Sequence, residues 1–381
     1  MSKKRQRKPV PFARGFKVPA QSDIHKALGA FDNTTLSGVF DERFYETFDG
    51  LSSPKKPWDW LAQYTERGQT YAEHLQLSRT LHTPASSHRN SIYLTILGEV
   101  NSTIFDIDSL VDYTQRYFQI PVKLIHPFTN FQFDDKTHEW SCQNTGDKIR
   151  TINLYTRYDD KSKHSQIHVS SILNALTKVV PNDARCLVAL TMCDLYSDDT
   201  DLFIAGLARG NNRVAVFSLY RYDPYLSFNE SDWFSCKIKI GSKSKSAVEK
   251  RRNLLLLRAC RLLTHEICHL FGIAHCIYYS CLMNGSGHLD EDFSQPLFEC
   301  PIDLRKLHTL IEFNIHERYE QLLEFFKTHN FDNEMRILQI KLNVINHSID
   351  SDTSSTKRKR GRHINADEID ESHSSIKHTK C

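Results

Sequence analysis

Between Lys245 and Phe271 the chain contains no glycine or proline and is dense in leucine. One long helix is the conformation such a stretch predicts. At about 100° per residue, Leu256, Leu263, Ile267 and Leu270 fall within a single arc, which should pack into the core. The same helix carries His265, Glu266 and His269. Two imidazoles four residues apart stand about 40° from each other on one face, so both can reach one metal ion. Glu266 sits about 100° to the side, too far round to complete the ligand plane but able to take a proton from water on that metal. Gly272 can adopt positive φ, end the helix and reverse the chain, after which His275 can supply a third nitrogen. Chance would assemble His265, Glu266, His269, Gly272 and His275 at these spacings on the order of 10⁻⁴ times per chain of this length.

Around this helix the chain alternates strand and helix patterns. Ile92–Leu97 is a β-prone run ending at Gly98, Asp108–Phe118 carries a helical pattern, and Pro121–Ile125 returns to strand character. Ile149–Tyr155 reads as a strand, Ser165–Val179 as a helix, and Cys186–Met192 as a nearly continuous apolar strand of the buried parallel kind. Leu202–Ala208 and Val214–Leu219 are read as a hairpin turning at Gly210-Asn211. Leu304–Phe326 and 332–345 are expected to be amphipathic helices. The expectation is an α/β (α+β) fold with a mixed twisted sheet, a long active-site helix and C-terminal helices. Its expected divisions are a basic, disordered stretch at 1–30, a helical and loop extension at 31–88, a main domain at 89–346 and a disordered basic tail at 347–381.

Composition limits the partners. Hydrophobic residues make up 40% and charged residues 25% of the 381, as in a soluble globular protein. The longest apolar run, Cys186–Leu190, is far shorter than the roughly 18 residues a spanning helix needs. No apolar stretch follows the basic N-terminus as a secretory signal requires, so a cytoplasmic or nuclear address is expected. The net charge of +3 conceals basic runs at Lys3–Lys8 and Lys357–Arg362; the chain between them is net acidic. That body has no interleaving of basic and aromatic residues, which argues against nucleic acid as a partner. Ten cysteines in a chain without an export signal are expected to be thiols or metal ligands rather than disulfides. Five of them fall between Cys260 and Cys300.

The helix segment and the cysteines that follow resemble the archaemetzincins, a class of metzincin zinc peptidases. The matching text is His265-Glu266-x-x-His269-x-x-Gly272-x-x-x-Cys276, then Cys281-Leu282-Met283, then Cys300-Pro301-Ile302-Asp303. A looser likeness spans about residues 90–330. The resemblance implies a zincin fold of metzincin type, a catalytic zinc on His265, His269 and His275, and Met283 in a turn beneath it. It also implies a second, structural zinc on four cysteines, three of which are Cys276, Cys281 and Cys300. The fourth position holds Asp303, whose carboxylate zinc accepts, and His288 or His308 could substitute for it.

The function expected is a zinc metallopeptidase, acting as a monomer on peptides or unfolded polypeptide segments. Three neutral imidazoles would leave zinc its charge and an open position, lowering the pKa of bound water to about 7. Glu266 is then the general base and returns the proton to the leaving amine. Either strand of the 202–219 hairpin could pair with an extended substrate. The alternative is a catalytically weak or inactive zinc-binding protein of the same fold, suggested by Asp303 where a fourth cysteine is expected.

Overall fold

The computed structural model describes residues 16–30, 40, 42–77, 88–137, 139–146, 149–159, 164–225 and 244–347. The basic run at Lys3–Lys8 and the expected tail beyond residue 347 lie outside them. At the centre is a five-stranded sheet in the order Gly206–Arg209, Val214–Ser218, Ala184–Thr191, Ser91–Leu97, Val122–Ile125. Every pairing is parallel except the first, so the antiparallel strand Gly206–Arg209 forms one edge. Ala184–Thr191 is buried along its whole length. Its side chains alternate between two apolar layers, with Cys186, Val188 and Leu190 in one and Leu187 and Ala189 in the other. That two-sided burial explains why the sequence there is continuously apolar.

The long helix runs Lys245–Leu270, capped by Ser244, whose side chain accepts from the Ala247 amide. It packs against Gly206–Arg209 and Val214–Ser218 of the sheet and against the helix Ile107–Phe118. Leu256, Leu263, Ile267 and Leu270 are all buried, as their shared arc requires. Two small three-stranded sheets flank the main one, formed by Phe128–Asp134, Glu139–Asn144 and Thr151–Leu154, and by Thr156–Asp159, His164–His168 and Leu195–Tyr196.

Several expectations need correction. The helix expected over Ser165–Val179 is confined to Val169–Thr177, because His164–His168 is a strand paired with Thr156–Asp159 and Leu195–Tyr196. The single helix expected over Leu304–Phe326 is two, Pro301–Ile311 and Ile315–Thr328. Glu312 takes a left-handed conformation at φ 58°, and Asn314 caps the next helix by accepting from the Glu317 amide. Within the stretch expected to be disordered, Gln21–Leu28 is a helix that buries Ile24, Ala27 and Leu28 in the main core. Arg305 holds its end by donating to the Leu28, Gly29 and Ala30 carbonyls. Residues 332–347 form the expected last helix. Among the described residues no helix is long and apolar enough to cross a membrane.

Residues 42–77 lie against the far end of the long helix rather than apart from it. Phe44 is fully buried in the main core, and Gly50 makes an antiparallel bridge with Tyr279. The Ser280 amide donates to the Asp49 carbonyl at 2.9 Å. This packing brings the short helices Trp60–Gln63 and Tyr71–Leu75 to the turn that follows the long helix.

Candidate active site

The long helix ends as its sequence requires. Gly272 sits at φ 79°, where a side chain would be strained, and the chain turns back through Ile273. The turn carries His275 to the face that presents His265 and His269. The three ring centroids lie 4.5, 5.0 and 5.5 Å apart. One ligand nitrogen from each can be chosen so that all three lie within 4.8 Å of one another.

Each imidazole is tied back through Nδ1. His265 donates to the Leu282 carbonyl at 2.9 Å, His269 to the Ile273 carbonyl at 2.8 Å, and His275 to Glu66 Oε1 at 2.9 Å. Because carbonyls only accept, His265 and His269 must carry their proton on Nδ1. Burial, with His275 adding to it, lowers the pKa of His265 to about 4, and burial with the other two histidines holds His269 well below the usual value. Both rings are therefore neutral, and both Nε2 atoms present bare lone pairs to each other across 2.9 Å. Two lone pairs so placed repel unless a cation lies between them. The donor set thus fits a nitrogen-binding metal ion on its own chemistry.

Glu266 stands beside this set and lines the same cleft, with Gly206, Leu207, Tyr222 and Asp292. Its carboxylate is buried, and Oε2 has no hydrogen-bond partner among the described residues. Burial, with the nearby Asp292 carboxylate contributing, pushes its pKa up to about 8. A Cβ on Gly206 would lie 2.4 Å from Glu266 Oε1, so glycine is what allows the edge strand to pass this close to the carboxylate. Met283 is fully buried directly after Leu282, whose carbonyl holds His265.

A second set of candidate ligands lies behind the turn. Cys276, Cys281, Cys300 and Asp303 are all buried, and one atom from each falls within the same 4.8 Å. Asp303 Oδ2 is 3.3 Å from Cys281 Sγ and 3.5 Å from Cys300 Sγ, while its other oxygen accepts from Lys306 Nζ at 2.8 Å. The Cys281 sulfur also receives the amides of Met283 and Cys300. Those donors suit a thiolate. Of the three candidates for the fourth corner, Asp303 alone is in place. His288 Nε2 pairs with Asp59 at 2.9 Å, and the His308 ring packs on Phe313. Of the other cysteines in this stretch, Cys260 and Cys268 are buried in the apolar core.

Sequence reasoning missed Glu66, Trp60, Tyr222 and Asp292. Tyr222 donates its hydroxyl to Asp292 at the back of the cleft. Trp60 sets its ring edge-on to His275 with centroids 5.1 Å apart, and donates Nε1–H to Glu66 at 2.9 Å. Trp58 and Trp60 stand close together in sequence, but nothing in their spacing ties them to a histidine two hundred residues on.

The chain is similar in sequence to known proteins. Residues 236–308 match the model of Peptidase family M54. The chain is 32% identical over 307 residues to Archaemetzincin-2 of Macaca fascicularis, covering 75% of this chain and 78% of that protein. It is 31% identical over 314 residues to Archaemetzincin-2 of Homo sapiens, covering 77% and 79%. Among solved structures, an archaemetzincin from Archaeoglobus fulgidus aligns with a TM-score of 0.36 and 18% identity, over 57% of this chain and 99% of that one.

Proposed function

This chain belongs to the archaemetzincins, a family of zinc metallopeptidases, and from that membership we propose that it cleaves peptide bonds by general-base attack of water, with Glu266 as the base. The observation that carries the reading is the pair of bare imidazole nitrogens of His265 and His269, joined by His275 and flanked by Glu266, whose Oε2 has no hydrogen-bond partner among the described residues. His265, His269 and His275 would hold the catalytic ion. When bound there, zinc polarises a carbonyl and acidifies water toward neutrality. Cys276, Cys281, Cys300 and Asp303 would hold a second, structural zinc.

The remaining steps belong to the chain itself. Glu266 Oε2 is free to accept a proton from water in the cleft, and the same carboxyl group can deliver it to the departing amine. Its high pKa before metal loading reflects burial, and a cation beside it would draw the carboxylate back to the ionised form. Among the described residues no strand pairs with the outer side of Gly206–Arg209, which lines the cleft, and this suits an extended peptide added as a further strand. Of the two hairpin strands considered from sequence, only this one is at an edge, since Val214–Ser218 is paired on both sides. We read the whole as a metzincin-type zincin, with Met283 in the turn under the histidines.

Two outcomes follow. Stripping metal with a chelator should abolish cleavage of a peptide library, and zinc should restore it. His275→Ala should release the catalytic ion, and metal content equal to wild type would remove His275 from the ligand set. Separately, Gly206→Ala should force Glu266 or the edge strand aside and lower kcat/KM by up to about 10²-fold with zinc still bound. Wild-type turnover in that variant would show that the approach of strand to carboxylate is not used.

A further inference from the structure

We infer that Glu66 is the positioning residue for His275, so that residues 58–69 form a working part of the catalytic metal site. This rests on the reading of His275 as a ligand. The three histidines are not held alike. His265 and His269 are fixed by one rigid helix, and their Nδ1 atoms are anchored on the carbonyls of Leu282 and Ile273, close in sequence. His275 lies beyond the helix end on a turn, and its Nδ1–H is held by a side chain 209 positions away. Among the described residues, it is the hydrogen bond to Glu66 that decides which nitrogen of that ring faces the other two.

The supporting contacts form a clamp. Glu66 Oε1 accepts from His275 Nδ1 and from Trp60 Nε1, both at 2.9 Å, so the carboxylate is itself oriented. Trp60 stacks on Tyr64 with centroids 4.1 Å apart. Gln69 grips the turn from both sides, donating to the Gly272 carbonyl at 3.0 Å and accepting from the Ala274 amide at 3.1 Å. The segment is seated too closely to slide. A Cβ on Gly285 would lie 2.3 Å from the Trp60 indole, and one on Gly287 would lie 2.4 Å from the Trp58 carbonyl oxygen. A carboxylate accepting from the far nitrogen of a metal-binding imidazole fixes its tautomer and raises its basicity. The helix supplies these constraints to two histidines, and the 58–69 segment supplies them to the third.

The test uses the full-length chain, stripped of metal and titrated with zinc against a competing chelator, then with cobalt(II). Cobalt distinguishes the two sites, because the thiolates of the Cys276 cluster give a strong charge-transfer band that an imidazole set lacks. Glu66→Ala should weaken zinc at the histidine site by about 10–100-fold and alter the visible cobalt spectrum of that site, with the thiolate band unchanged. Glu66→Gln keeps an acceptor for His275 and should fall between the two. Parent-like affinity and spectrum in Glu66→Ala would overturn the inference. If that variant fails to fold, Glu66→Gln decides alone, and parent affinity there overturns it equally. His275→Ala separates the two levels. If it binds zinc as the parent does, the ligand assignment itself fails. If it loses zinc while the Glu66 variants do not, only the role of Glu66 fails.

Discussion

Glu266→Gln is expected to lower kcat/KM on a peptide library by about 10²–10⁴-fold while zinc content stays at the wild-type level, the range general-base catalysis ordinarily contributes. The substitution preserves shape in a buried site, and it replaces a carboxylate whose Oε2 has no hydrogen-bond partner among the described residues. Metal should remain because no ligand nitrogen depends on Glu266: the three imidazoles are held by Leu282, Ile273 and Glu66. Zinc measured by mass spectrometry beside turnover separates the possibilities. Lost metal would make Glu266 a ligand rather than a base. Wild-type turnover would leave the proposed chemistry without its proton acceptor.

The second large effect concerns stability. Asp303→Ala should empty the second zinc site and destabilise the protein by about 3–5 kcal/mol in urea unfolding, the usual consequence of stranding one member of a buried ion pair. Lys306 and Asp303 are both essentially inaccessible to solvent, and their contact is 2.8 Å. Among the described residues Lys306 keeps one other acceptor, the Gln69 carbonyl at 2.7 Å, which cannot neutralise its charge. Adding Lys306→Met to Asp303→Ala should therefore recover much of the stability while zinc stays absent. Metal content unchanged in Asp303→Ala would remove the carboxylate from the ligand set.

Asp303 also bears on why the two centres adjoin. Lys306 links it to Gln69, and Gln69 grips the turn that carries His275. The turn runs from Gly272 directly into Cys276, so one short stretch of chain belongs to both ligand sets. A carboxylate at the fourth corner keeps one oxygen among the sulfurs and offers the other to a buried lysine. The departure from the family pattern is thus matched by a partner in the surrounding structure.

What could be read from sequence followed from short-range geometry. The long helix was legible because helical periodicity is a property of neighbours, and its buried arc at Leu256, Leu263, Ile267 and Leu270 came out as read. So did the turn at Gly272, since only the local backbone decides whether positive φ is tolerable. The helix expected at 304–326 failed for the complementary reason. A left-handed Glu312 is not signalled by residue type, and the amphipathic pattern continues across the break. The two small sheets were mostly missed because their half-exposed strands carry little apolar alternation.

By itself, the order of residues determined a helix bearing His265, Glu266 and His269 on adjoining faces and a reversal to bring His275 back. Both are set within a few residues, where bond geometry and helical pitch leave few choices. The tertiary structure alone decided that Gly206–Arg209 is the edge, that Asp303 rather than His288 or His308 lies among the clustered cysteines, and that Glu66 accepts from His275. Each of those depends on which distant surfaces meet when the core closes, and that is settled by burial summed over the whole chain rather than by any local signal.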